Sequence, residues 1–149
     1  MFGALYRLAD RARDNARRRT WDPDLAAGRR GEDIAHRFLQ RAGVIVVARN
    51  HRTASGSGEV DLIGWDGDQL VFVEVKTRSS QDFGPPDRAI DDAKRRKIVM
   101  AAMDFARRSE TPVDKMRFDV VSVTLTSPPS VVHQRDVFTI RSVGQQQPN

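Results

Sequence analysis

The run Leu70-Val71-Phe72-Val73-Glu74-Val75-Lys76-Thr77-Arg78 constrains this chain more than any other stretch. Side chains alternate along a strand, so Val71, Val73 and Val75 point one way while Leu70, Phe72, Glu74 and Lys76 point the other. Both faces begin apolar, the pattern of a strand covered on both sides rather than one with a wet face. An ionised Glu and Lys are costly in such a place unless they pair or bind something. Glu74 and Lys76 therefore need a chemical reason to be there.

The residues just upstream supply one. Glu59 to Trp65 reads as a second strand, and Asp66-Gly67 as the turn of a β-hairpin leading into Leu70 to Arg78. A two-residue turn at Asp66-Gly67 sets Glu59 opposite Glu74 and Asp61 opposite Phe72, whereas a four-residue turn sets Asp61 directly opposite Glu74. Either register gathers Glu59, Asp61, Glu74 and Lys76 on one face. Two carboxylates about 5 Å apart repel by about 3 kcal/mol at an effective dielectric of roughly 20, and Lys76 offsets only part of that. A divalent cation settles the balance, with Asp61 and Glu74 as candidate ligands and Glu59 either a further ligand or a strand-edge charge. Hard oxygen ligands that leave several waters on the ion suit Mg²⁺, with Mn²⁺ as a substitute, while zinc asks for His or Cys. His36, His51 and His133 are dispersed and are assigned no metal.

The acid-x-Lys pattern is not specific by itself, since chance gives about half a match in a chain of this composition. It occurs a second time, as Asp92-Ala93-Lys94. That copy falls on a helix, where residues two apart do not face each other, and it is set aside.

The rest of the chain reads as elements around this hairpin. Asp22-Pro23-Asp24 starts a helix, with an Asp cap, Pro in the first turn and acids at the positive end of the dipole. The helix runs from Pro23 to Ala42, with Ile34, Ala35, Phe38, Leu39 and Ala42 as its apolar arc and Gly43 as its stop. Val44 to Ala48 is a short β-branched strand, TASGSG is a flexible connection into the hairpin, and SSQDFGPP is a loop before a second helix from Asp87 to Arg108. Met116 to Val123 and Val131 to Ile140 are two more strands around an SPP turn. The order α-β-β-β-α-β-β predicts one α/β domain over residues 23–141, a mixed central sheet flanked by helices. Residues 1–22, rich in Arg, are expected to be a basic flexible segment, and 142–149 a disordered polar tail.

With 149 residues there is room for one core. A net charge of +5 favours polyanions, and nucleic acid is the commonest such partner. The absence of cysteine excludes disulfide frameworks, thiol nucleophiles and iron–sulfur ligation together. No apolar run approaches the length of a membrane span, and the amino terminus lacks the continuous apolar stretch of a signal peptide, so a cytoplasmic location is expected. The basic residues are 21 Arg and 4 Lys, and the acids 16 Asp and 4 Glu. Against that bias, Glu32, Glu59, Glu74 and Lys76 all fall between residues 32 and 76.

Five blocks in order carry a resemblance: GRRGEDIAHRFLQRAG, RNHR, GEVDLIGWDGDQLVFVEVKTRSS, FGPP before a helix, and RFDVVSV. Over about residues 25 to 140 they resemble the YraN-like bacterial family, placed in the PD-(D/E)xK nuclease superfamily with its restriction-endonuclease-like fold. The resemblance implies that Asp61 stands for the superfamily's metal-binding Asp, Glu74 for its second acid, Lys76 for the motif Lys and Glu32 for the acid on the first helix. Val60 stands where the superfamily has Pro, a departure normal in this family.

The function so implied is a Mg²⁺-dependent endonuclease that hydrolyses phosphodiesters in DNA. Two neighbouring carboxylates favour the charged form of Lys76, the opposite of what a general base requires, so its expected role is water positioning and charge stabilisation. Arg49, Arg52 and Arg78 flank the hairpin ends, and Lys94, Arg95, Arg96 and Lys97 line one turn of the second helix; they are the candidate phosphate contacts. A chain this short has little to spare for an inserted base-reading element, so branched or single-stranded DNA is the expected substrate. A looser similarity to archaeal Holliday-junction resolvases points the same way. The competing reading is a catalytically silent nucleic-acid-binding module whose acids and Lys form a buried network with no ion.

Overall fold

The computed structural model describes residues 23–79 and 90–143. The basic segment 1–22, most of the SSQDFGPP loop with the first residues assigned to the second helix, and the tail from 144 lie outside the described residues. The elements are α1 (Pro23–Arg41), β1 (Ile45–Arg52), β2 (Glu59–Asp66), β3 (Gln69–Ser79), α2 (Asp92–Arg108), a single 3₁₀ turn (Val113–Lys115), β4 (Met116–Leu125), β5 (Ser130–Phe138) and a short α3 (Ile140–Val143). One five-stranded sheet has the order β1-β2-β3-β4-β5. β3 and β4 run parallel and every other pair antiparallel, which makes the sheet mixed. This is the α-β-β-β-α-β-β arrangement of the restriction-endonuclease-like fold.

β3 lies at the centre and is covered on both sides, as its two apolar faces require. Val71 and Val73 pack with Ala35 and Leu39 of α1 and with Leu62, Val121 and Val123. Leu70 and Phe72 pack on the other face with Ile98, Ala101 and Ala102 of α2 and with Phe118 and Val120. The apolar pattern runs on through Val75 on one face and stops at Phe72 on the other, where Glu74 and Lys76 follow.

Several boundaries differ from the sequence reading. β1 continues through Arg49-Asn50-His51-Arg52, because its ladder with β2 runs on to Arg52–Glu59 and paired backbone groups overrule polar composition. α1 ends at Arg41 and leaves Ala42 exposed. α2 begins at Asp92 rather than Asp87: Asp91 is extended (φ −66°, ψ 162°) and its carboxylate accepts the Lys94 N–H at 2.8 Å, so Asp91 is the cap. β5 stops at Phe138, and residues 142 and 143 belong to α3 rather than to a tail. TASGSG is a closed turn, with Thr53 N donating to Gly58 O at 3.0 Å and Gly58 N to Thr53 Oγ1 at 2.8 Å.

Two features set the site's geometry. Asp66 pairs with Gln69 around Gly67-Asp68, with Gly67 at φ +60°, and Trp65 pairs with Leu70. This is the register that carries Asp61 toward Glu74 and away from Phe72. On the other side α1 crosses β3 where Gly31 meets Thr77, and a Cβ at Gly31 would collide with the Thr77 side chain. Only glycine allows that approach, and it brings the next residue, Glu32, toward the end of the hairpin.

Candidate active site

The regular pairing of β2 with β3 ends at Leu62–Val73. One residue further on, the Asp61 carboxylate takes over, accepting the Val75 N–H on Oδ2 at 2.8 Å. Asp61 and Glu74 are 8% and 9% exposed, so both carboxyls have lost most of their water. Burial lifts the Asp61 carboxyl above its ordinary value, against the Val75 N–H and the charge of Lys94. Burial and then the neighbouring Asp61 push Glu74 up to about 8. At neutral pH burial therefore favours the protonated form of the Glu74 carboxyl.

The cation that meets this pair comes from α2. Lys94 Nζ lies 3.4 Å from Glu74 Oε1, and Glu74, Asp61 and Glu59 together keep the ammonium above its ordinary pKa although burial opposes its charge. Lys76 follows Glu74 by two residues along β3, half-buried and on the same face. Glu32 is partly buried on α1, where burial and then Asp61 raise its pKa while Asn50 donates to its Oε2 at 3.3 Å. Glu59 is the outermost acid, 3.9 Å from Arg52 Nε. Glu32, Glu59, Asp61 and Glu74 thus lie near one end of the β2–β3 hairpin with Lys94 facing them, and Lys76 stands two residues beyond Glu74 on the same strand face.

The proposed phosphate contacts separate into two groups. Arg49 binds Asp33 at 2.7 Å and stands 3.8 Å from Glu32. Arg95 donates from Nε to Ile90 O at 3.0 Å and lies 5.5 Å from the centre of the Phe138 ring. Arg52 faces Glu59, Lys94 faces Glu74, and Arg78 borders a cavity of about 350 Å³ with Asp24, Gly28, Thr77 and Leu125. Arg96 and Lys97 are exposed and form no ion pair among the described residues.

Among the described residues Glu74 Oε2, Ser122 Oγ and Gln134 Oε1 are buried without a hydrogen-bond partner. Ser122 is the β4 neighbour of Lys76, and Gln134 is the β5 neighbour of Val120, itself the neighbour of Glu74. Sequence reasoning missed both, since Ser122 sits inside the apolar run VVSV and carries no motif. No group of three His, Cys, Asp or Glu side chains is drawn around one point among the described residues. Mg²⁺ does not need one, because it keeps several waters and takes one or two carboxylates together with substrate oxygens. Asp61 and Glu74, with an orphaned oxygen and an excess of negative charge when both ionise, fit such an ion.

The model of the Uncharacterised protein family UPF0102 matches residues 31–123. The chain belongs to this family. That span contains Glu32, Glu59, Asp61, Glu74, Lys76 and Lys94. A UPF0102 protein of Solibacter usitatus is 51% identical over 138 residues, covering 93% of this chain and all of that protein. One of Rhodococcus opacus is 44% identical over 117 residues, 77% of this chain and 98% of the relative. One of Koribacter versatilis is 40% identical over 119 residues, 78% of this chain and 81% of the relative. The UPF0102 name carries no reaction, so the chemistry rests on the side chains.

Proposed function

We propose that this protein is a Mg²⁺-dependent endonuclease that hydrolyses phosphodiesters of structured or branched DNA. The observation that supports it is the undercompensated pair: two buried carboxyls with raised pKa values, one oxygen of which has no partner. Such an arrangement costs stability and is characteristic of sites that await a ligand. Asp61 and Glu74 would hold the ion, with Glu59 as the outer carboxylate. Bound there, a divalent cation supplies a Lewis acid for the phosphate and lowers the pKa of a water.

The chain's own groups do the remainder. Lys76 faces the same space as Glu74 and holds the attacking water while its charge stabilises the negative phosphoryl oxygens. Glu32, anchored by Asn50, borders Asp61 and accepts a hydrogen bond from water on that side. Arg96 and Lys97 on the α2 rim meet flanking phosphates, a contact that orients a backbone without reading bases. A preference for DNA structure over sequence follows from that chemistry.

The silent-module reading has one observation in its favour: Lys94 already sits on Glu74 and neutralises much of the pair. Incubating the protein with matched branched and linear DNA of several sequences, in Mg²⁺ and in EDTA, separates the two. Cleavage of branched DNA only with the metal is expected, falling on the order of 10²-fold or more in Asp61→Asn and Glu74→Gln while both variants stay folded. Tight DNA binding with no cleavage in Mg²⁺ or Mn²⁺ leaves the silent module. Cutting confined to one short sequence, whatever the DNA structure, sinks the structural preference.

A further inference from the structure

The first turn of α2 carries a cation where the backbone disfavours one. Lys94 is the third residue of α2, and the amino-terminal end of a helix has positive potential that repels an ammonium. Its neighbours resolve the same crowding differently: Arg95 turns onto Ile90 O and the Phe138 ring, and Arg96 and Lys97 face solvent. Lys94 turns inward to Glu74. The acids account for its position, and nothing in its own helix does. Its side chain remains 35% exposed, so the ammonium has an open path back to water.

We propose that Lys94 is the resident counter-cation of the Asp61–Glu74 pair, and that a divalent cation binds there by displacing it, so that ion binding and release of Lys94 are one event. A divalent ion on the Asp61–Glu74 pair would lie within a few ångströms of an ammonium at Glu74 Oε1, where like charges in a buried site repel strongly. Without the ion, Lys94 keeps the pair nearly neutral and the fold intact. With it, the freed ammonium joins Arg96 and Lys97 on the rim, and affinity for phosphates rises with divalent-cation binding. The inference rests on the metal-binding reading of the same site and adds how that site is held until an ion arrives.

The chain has only four lysines, Lys76, Lys94, Lys97 and Lys115, so amine labelling can be read residue by residue. The full chain is treated with an amine-reactive reagent in EDTA and in Mg²⁺ and digested for mass spectrometry, beside a calorimetric titration with Mg²⁺. The expected result is Mg²⁺ binding with a several-fold rise in labelling of Lys94, steady labelling of Lys97 and Lys115, and no response in Asp61→Asn. Mg²⁺ binding with unchanged Lys94 labelling overturns the displacement and leaves the metal centre standing. A rise that persists in Asp61→Asn also overturns it, since the ion would then act elsewhere. Absence of Mg²⁺ binding in calorimetry overturns both.

Discussion

Two buried acid sites occupy neighbouring rows of the same sheet and are treated in opposite ways. Asp119 pairs with Val73 across β3 and β4, and Glu74 pairs with Val120 in the next row. The Asp119 carboxylate accepts two hydrogen bonds from Arg117, each at 2.9 Å, one from His133 Nε2 at 2.7 Å and one from the Asp136 N–H at 3.0 Å. Arg117 is itself held by Asp66 and Gln69, both at 2.9 Å. Burial alone would raise the Asp119 carboxyl, yet His133, Arg117 and the Asp136 N–H hold it below its ordinary value. Asp61 and Glu74, also buried, are met by the Val75 N–H, the Lys94 ammonium and each other's carboxyl, and both carboxyls are raised. The fold can therefore satisfy a buried carboxylate completely, as it does at Asp119. Under the proposed function the acids left short of partners are the ones that take a ligand.

The sharpest way to break this contrast is to remove one acid from each site. Asp119→Ala removes the acceptor of four hydrogen bonds, leaving Arg117 to Asp66 and Gln69 and the His133 ring and Asp136 N–H without their partner, and is expected to cost about 3 to 5 kcal/mol. Asp61→Ala removes a repulsive neighbour along with a hydrogen-bond acceptor and is expected to change stability by no more than about 1 kcal/mol. Urea unfolding of both variants against wild type measures the difference. Equal losses would mean that the Asp61–Glu74 pair is architectural too.

A smaller effect separates the sites by pH. The Glu74 carboxyl titrates at about 8 in the folded protein against an ordinary value of 4.5, so between those values the folded chain binds the additional proton. Stability from this group therefore falls as pH rises through the neutral range, by up to about 1.4 kcal/mol per pH unit. Asp119 works the other way: its lowered pKa contributes stability above the ordinary value of 3.8, lost as pH falls through the folded value. Glu74→Gln should flatten the neutral decline and leave the acid limb in place, and Mg²⁺ added to wild type near the alkaline end should restore part of the lost stability. Melting temperatures across the pH range provide the measurement, and a neutral decline unchanged in Glu74→Gln would remove Glu74 as its source.

The contrast also explains what the sequence could and could not disclose. The two-faced apolar pattern of Leu70 to Val75 located β3 and both helix layers, because burial on two sides leaves a periodicity that tertiary context does not alter. Hairpin register was legible only as two alternatives, since the choice depends on whether Asp66 joins the ladder or the turn. Of the Asp119 cluster the sequence offers only RFDVV, where Asp119 reads as structural with Arg117 two residues before it on the same strand; His133 and Gln69 come from other strands and meet it only after the sheet has formed. From the sequence Lys94 is one of four candidate phosphate contacts on a turn of α2, and the acid-x-Lys copy that contains it is set aside because it falls on a helix. That copy is indeed no strand motif, since Asp92 takes no part in the pair. Its Lys still reaches the site, because the cap at Asp91 fixes where the first turn of α2 points.

The smallest expected effect tests whether the same rule, that groups with internal partners serve the fold and groups without them face a ligand, extends to the basic rim. Removing a cation that neutralises one phosphate lowers the slope of log K against log salt by about one unit. Arg96→Ala and Lys97→Ala are each expected to do so on branched DNA and to weaken binding about equally across sequences. Arg49 must first leave Asp33, where it is held at 2.7 Å, before it can reach a phosphate. Its partly exposed bridge is a weak one, so the balance is fine, and Arg49→Ala is expected to lower the slope by well under one unit. Binding measured over a range of salt at fixed Mg²⁺ resolves the three variants. Equal slope changes for Arg49→Ala and Arg96→Ala would show that an exposed ion pair yields freely to phosphate, and the rule would then hold only for partners sealed inside the sheet.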